Sequence, residues 1–296
     1  MVGAHHRRGD PMPHHDHPRR DHHSHDHHGH GHESAFEGPE EVARVVADGE
    51  IAIGYVGEVV GLLDHPVDSV VDIGSGPGVA TLELARLLPE ARVVALDSSA
   101  SMIEALRERA TAAGLTDRVQ GRQVEIPEGL EGRADVDLVW ASMSLHHVAD
   151  EVAALRAVRE TLSERGTVAI VEFGDQRELL PPGNDALGDR VENAYRRYFD
   201  EQSQHWHGDT PSDELAAMVG RAGLRVLSDH VSVITHQPPL DEAQRRYVTG
   251  SLMRARKQLE GLLTAADLDA LERIARDPER ADGPLLVSRR ILLAGR

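Results

Sequence analysis

Residues 70–78 read VVDIGSGPG, a β-branched run that reaches an acid, Asp72, and then places Gly74, Gly76 and Gly78 at alternate positions. Glycines lack a Cβ, so the chain can turn tightly and its backbone N–H groups can approach a ligand; a helix that follows such a turn adds its positive N-terminal end. This is equipment for holding a cofactor. A dinucleotide fingerprint would need its third glycine at position 79, but Val79 stands there and the glycine comes one place early. Asp97 lies 19 residues after Gly78, where a carboxylate can accept both hydroxyls of a ribose, a demand nicotinamide cofactors share. Taken alone, the same acid could instead be an ordinary helix N-cap. Downstream, LHHV at 145–148 supplies His146 and His147. Imidazole changes charge near neutral pH, so either could remove a proton from a nucleophile, or simply line a pocket. His205, Trp206 and His207 form a second polar and aromatic cluster.

Residues 5–32 hold twelve of the nineteen histidines, interleaved with Pro, Asp and Arg and almost nothing apolar. Such a stretch builds no core, and residues 1–36 are expected to be a disordered tail. Neutral imidazole is the commonest protein ligand for zinc, copper and nickel. On a flexible tether the histidines can assemble sites in many registers, so His22, His23, His25, His27, His28, His30 and His32 are read as ligands for a divalent transition metal, with a solvated tail of no consequence as the alternative.

The elements that must position the glycine turn and its acids begin near Pro39, where residues 38–50 and 50–63 repeat apolar positions every three or four residues, as amphipathic helices do. From Ser69 the pattern alternates strands with helices, the mark of a parallel sheet covered on both faces. Strands are expected at 69–74, 91–97, 118–124, 135–143 and 166–173. Helices are expected after the glycine turn, over 101–114 with Gly114 as its terminating glycine, and over 150–166 with Gly166 in that role. Beyond 175 the alternation becomes irregular: helical pieces within 175–222, a sixth strand at 223–235, two helices within 241–277 and a final strand at 284–295. The helical segments at about 177–222 and 238–282 read as a lid over a pocket or as a cover that only packs.

The sequence has 32 Lys and Arg against 50 Asp and Glu, a formal charge of −18. Such a surface repels phosphate backbones, and no basic stripe offsets it, so nucleic acid is not expected as a partner. Cysteine is absent, which excludes disulfides, zinc-thiolate sites and thiol nucleophiles and suits a reducing cytoplasm. No apolar run approaches the roughly 20 residues of a membrane span, and no membrane partner is expected.

Taken together, Asp72-x-Gly74-x-Gly76-x-Gly78, Asp97-x-Ser99-x-x-Met102 and LHHV after the fourth strand resemble the class I S-adenosylmethionine-dependent methyltransferases, most clearly over 40–175. The resemblance implies a Rossmann-like α/β domain over 37–296: a doubly wound, mostly parallel seven-stranded sheet with helices on both faces and an antiparallel last strand. It implies S-adenosyl-L-methionine as cofactor, with Gly74, Ser75, Gly76 and Gly78 under its methionine part and Asp72 near the amino group. Asp97 would take the ribose hydroxyls, Met102 would flank the adenine, backbone at Gln123 and Val124 would form the adenine edge, and Ser98 and Ala141 would complete the cofactor site. Where many members read G-D-A-x-x-L-P, this chain has Gly121-Arg122-Gln123-Val124-Glu125-Ile126-Pro127; Gln123 or Glu125 replaces the missing acid, or the contact is through backbone alone. The implied activity is in-line displacement of a methyl group onto a small-molecule acceptor, with His146 or His147 as base. Two other readings stand beside it: a metal-binding protein built on such a scaffold, and a nicotinamide-dependent oxidoreductase, which the glycine spacing opposes.

Overall fold

The computed structural model describes residues 38–174, 180, 184–201, 212–277 and 284–296. Two helices come first: α1 (Pro39–Ala52), which starts with proline and carries Glu40 and Glu41 in its first turn, and α2 (Gly54–Leu62). Both choices suit a helix N-terminus, where one N–H is dispensable and negative charge is favoured.

The apolar, β-branched run at 69–73 then forms β1 (Ser69–Ile73) and the alternation follows: α3 (Val79–Leu87), β2 (Arg92–Asp97), α4 (Ala100–Ala112), β3 (Val119–Gln123), β4 (Val136–Ser142), α5 (Glu151–Thr161) and β5 (Leu162–Phe173). Helix α4 ends as expected, with Gly114 at φ 69° just past it. After β5 come α6 (Asp185–Glu201), α7 (Ser212–Arg221), β6 (Arg225–His236), α8 (Glu242–Gln258), α9 (Ala265–Arg276) and β7 (Leu285–Gly295).

One boundary differs from the expectation. Helix α5 stops at Thr161, not Gly166, because Leu162 already pairs with Val136 of β4. The register then shifts before Leu138 pairs with Thr167. Gly166 sits in that irregularity, where a Cβ would lie 2.5 Å from the carbonyl oxygen of Val136. It serves a strand bulge and not a helix end.

The seven strands form one sheet in the order β3-β2-β1-β4-β5-β7-β6. All pairings are parallel except those of β7, which runs antiparallel to both β5 and β6. Each face carries its own core. Val70, Leu138, Trp140, Ala169 and Leu293 pack toward α1, α2 and α8, while Val71, Ile73, Val139, Ala141, Ile170 and Leu292 pack toward α5 and α7. The strand order reverses between β1 and β4, and open α/β sheets leave a crevice at the carboxyl ends beside such a reversal.

Candidate functional site

A cavity of about 840 Å³ opens at that position. The turn after β1 forms its floor. Gly74, Gly76 and Gly78 have φ values of 64°, 52° and 79°, the left-handed region that residues with a Cβ avoid. Space separates their roles. A Cβ on Gly74 would lie 2.4 Å from that of Ser144, and one on Gly78 would lie 2.7 Å from Leu106 Cγ. A Cβ on Gly76 would meet only a Val45 methyl, at 3.6 Å. Gly74 and Gly78 are thus required by packing, and Gly76 borders open volume. Gly78 caps α3 and is not part of the cavity wall; Gly74, Ser75 and Gly76 are.

Strand β2 ends on Asp97, whose carboxylate accepts hydrogen bonds from the backbone N–H groups of Gly76 at 2.7 Å and Ser99 at 2.9 Å. Burial pushes its carboxyl up from the usual range, and these two bonds oppose that rise. Ser99, not Asp97, is the N-cap of α4, its Oγ accepting from Met102 N at 3.3 Å. Asp97 is left facing the cavity beside Ser98, Met102 and Val124.

Asp72 is fully enclosed beneath the turn and accepts a hydrogen bond from Thr81 Oγ1 at 2.5 Å. Burial raises its carboxyl to about 7, the Thr81 bond working against the rise and the nearby Asp97 adding to it. At neutral pH this acid is poised between protonated and charged.

Beyond β4, Met143 adopts φ 55° and donates its N–H to Val171 O at 2.8 Å, while Ser144 Oγ donates to Ile73 O at 2.8 Å. These contacts turn the chain into a short helical turn over Leu145–His147. There His146 Nδ1 stands 2.7 Å from Glu172 Oε2 of β5, and the glutamate is wholly buried. Burial lowers the imidazole's pKa, but the Glu172 charge and hydrogen bond outweigh it, so His146 is more basic than usual. An imidazole that donates Nδ1–H to a carboxylate presents Nε2 as a base. His147 is exposed, its ring centroid 4.1 Å from that of His146, and both histidines border the cavity.

Not every expected residue lines the cavity. Gln123 is exposed, its side-chain amide donated to Ser98 O at 3.0 Å, and stands just outside the lining that Val124 and Glu125 enter. Ala141 points to the opposite face of β4, into the core beneath α5, because side chains alternate along a strand. Its neighbour Trp140 faces the cavity, stacked on Tyr55 at 5.8 Å and 12°, and its buried indole N–H has no hydrogen-bond partner among the described residues. The histidines at 22, 23, 25, 27, 28, 30 and 32, and the His205-Trp206-His207 cluster, lie outside the described residues. Among the described residues no helix is long and apolar enough to cross a membrane.

Sequence reasoning missed the far wall. Tyr55 Oη and Ser142 Oγ are 2.8 Å apart, Tyr195 comes from α6, Tyr247 and Arg254 come from α8, and Arg289 comes from β7. Glu172 and Arg289 had a visible signal: each is a charge inside an otherwise apolar strand, VAIVEF and LLVSRRILLAG.

Residues 70–166 match the family model described as a methyltransferase domain. The chain is 27% identical over 198 residues to the 27-O-demethylrifamycin SV methyltransferase of Amycolatopsis mediterranei, covering 66% of this chain and 63% of that one. It is 33% identical over 131 residues to a trans-aconitate 2-methyltransferase of Paracidovorax citrulli, covering 40% and 48%. The chain thus spans less than two thirds of the length of these curated relatives. In fold it is similar to the phosphoethanolamine N-methyltransferase 2 of Haemonchus contortus solved with S-adenosyl-L-methionine, with a TM-score of 0.53 at 12% identity over 89% of this chain and 58% of that one. It is also similar to the YcgJ protein of Bacillus subtilis, with a TM-score of 0.50 at 19% identity over 81% and 96%. Residues 70–166, which carry the glycine turn and strands β1 to β4 of this sheet, are thus the part of the chain that is similar to a methyltransferase domain.

Proposed function

We propose that the protein transfers a methyl group from S-adenosyl-L-methionine to a small-molecule acceptor held in the same cavity. The observation that carries this reading is the junction of Gly76 and Asp97: a glycine with open volume above it, bonded to a carboxylate that still faces the cavity. The residues fit the cofactor. Gly74, Ser75 and Gly76 offer close backbone approach, Asp72 offers a carboxyl to an ammonium, Asp97 has lone pairs for ribose hydroxyls, and Met102, Val124 and Ile126 give an apolar slot with Glu125 at its edge. When bound, the cofactor supplies an electrophilic methyl group on a sulfonium.

This chain's own residues then have positioning and proton transfer to perform, the main contributions open to a protein in such a displacement. His146, oriented by Glu172, takes the proton of a hydroxyl or amine acceptor at Nε2. Trp140 and Tyr55 wall off water on the sheet side, and α8 covers the opposite side. A small acceptor suits a cavity of this size, which falls in the ordinary range for small-ligand sites. The relatives named for rifamycin and trans-aconitate methylation support the same class.

Titration calorimetry with S-adenosyl-L-methionine and its demethylated product tests the reading, with Asp97→Ala as control. Binding that the substitution weakens supports it; absence of binding by the wild type refutes it.

We further propose that the histidine-rich segment binds a divalent transition metal, on the sequence alone. Zinc titration of the full chain and of a variant lacking residues 1–36 checks this. Equal zinc binding by both would contradict it, and cofactor binding unchanged by the deletion would separate the metal reading from the enzymatic one.

A further inference from the structure

Arg289 is a buried cation on the cavity wall that no carboxylate among the described residues neutralises. It is 8% exposed, its Nη1 donates to the Ser288 carbonyl at 2.8 Å, and its buried Nε makes no hydrogen bond. No carboxylate among the described residues forms an ion pair with it. Its neighbours in the same cavity are treated differently. Arg44 is held by Glu41 and Asp48, and Arg254 reaches Asp48 at 3.1 Å. Arg290, on the other face of β7, is gripped through two nitrogens by Asp229, at 3.1 and 2.8 Å.

A buried guanidinium almost always has an anionic partner, because removing its charge from water is costly without one. Here the missing partner has a place to sit. Arg289 lies opposite Phe173 in the antiparallel register, on the sheet face that carries Tyr55 and Trp140, and its charge is felt at the Tyr55 phenol.

The sheet order says which ligand that partner belongs to. From β2 outward the cavity passes Asp97, the glycine turn on β1, His146 after β4, Phe173 on β5 and then Arg289 on β7. Strands β1 and β7 are three steps apart, about 14 Å at ordinary strand spacing. The cofactor cradle is at one end, the base in the middle and Arg289 at the other. We infer that Arg289 anchors a carboxylate on the methyl acceptor, so that the acceptor is a monocarboxylate with a separate hydroxyl or amine directed at His146. A guanidinium fork matches the two oxygens of a carboxylate, and one buried positive charge balances one negative charge, whereas a phosphate would carry nearly two.

This inference rests on the methyltransferase reading, and its test keeps the two apart. Full-length protein is first titrated with S-adenosylhomocysteine; no binding refutes the cofactor reading, and the next arm is then read without it. Next, benzoate and 4-hydroxybenzoate are titrated against their neutral amides. The wild type is expected to bind the acids at least tenfold more tightly than the amides, and Arg289→Met to lose that preference while S-adenosylhomocysteine affinity stays within twofold. Arg289→Lys, which keeps the charge without the fork, is expected to retain part of the preference and serves if the methionine variant does not fold. Acids that bind no better than amides, or not at all, overturn the proposal. So does a loss confined to S-adenosylhomocysteine, which would assign Arg289 to the cofactor's own carboxylate.

Discussion

The backbone N–H of Gly76 and the Oδ2 of Asp97 are 2.7 Å apart, so the turn that follows β1 is fastened to the acid that ends β2. One side chain therefore fixes the shape of the glycine floor and supplies the carboxylate facing the cavity. Asp97→Ala is expected to weaken S-adenosyl-L-methionine binding by about 1 to 3 kcal/mol, the range for leaving polar partners unmatched. Calorimetry reads this directly, and unchanged affinity would remove Asp97 from the site.

The two outer glycines and the middle one should fail in different ways. Gly74→Ala places a methyl group 2.4 Å from the Ser144 Cβ at a φ of 64°, so a stability loss on the order of 1 to 3 kcal/mol is expected in urea unfolding. Gly76→Val has room beside Val45 but carries strain at φ 52° and a side chain that borders the ligand volume. Its signature is loss of cofactor binding out of proportion to its loss of stability. Normal binding by a folded Gly76→Val protein would show that the turn does not contact the ligand.

Asp72 gives the protein a pH dependence of unusual sign. Its folded carboxyl titrates near 7 against an ordinary value of 3.8, so between those limits the folded state binds the extra proton. Stability contributed by this group is present at low pH and falls as pH rises through that window. Asp72→Asn should flatten this part of the stability profile. A cationic ligand favours the ionised form, so affinity for S-adenosyl-L-methionine should rise with pH, by up to about tenfold per unit below 7. Calorimetry in buffers of different ionisation heat should register proton release near neutral pH; no release would mean that Asp72 does not face the ammonium.

His146 and Glu172 should be separable by pH profile. The base must be neutral, so turnover should rise with pH through the imidazole's raised pKa. His146→Ala should lower turnover about 100-fold or more, with little change in cofactor affinity, the usual reach of general-base catalysis. Glu172→Gln removes the charge that makes the imidazole more basic, so the rising limb should move to lower pH while the plateau falls. If Glu172 only supports the fold, its variant would lose stability and leave the limb in place.

Much of this site is written locally in the chain. The glycine turn, Asp97 and the histidine pair each sit at the carboxyl end of a strand whose apolar run is plain, so their placement follows from the alternation of strands and helices. The wall opposite shows in the sequence only as two charges inside apolar strands, with nothing local to say where they meet the site. Arg289 reaches the cavity only because β7 inserts between β5 and β6, and Glu172 meets His146 only because β5 lies beside β4; both are pairings between distant segments. Ala141 and Trp140 show the finer limit, since one residue along a strand reverses the face. Gly166 shows another, because a glycine that could stop a helix can also relieve a bulge.

The most direct test of the central claim is titration of the full-length protein with S-adenosyl-L-methionine, S-adenosylhomocysteine and reduced nicotinamide cofactor in separate runs. The account predicts micromolar, one-to-one binding of the first two, weakened by Asp97→Ala, and none of the third. Absence of binding by the S-adenosyl compounds, or nicotinamide binding that depends on Asp97, would contradict it.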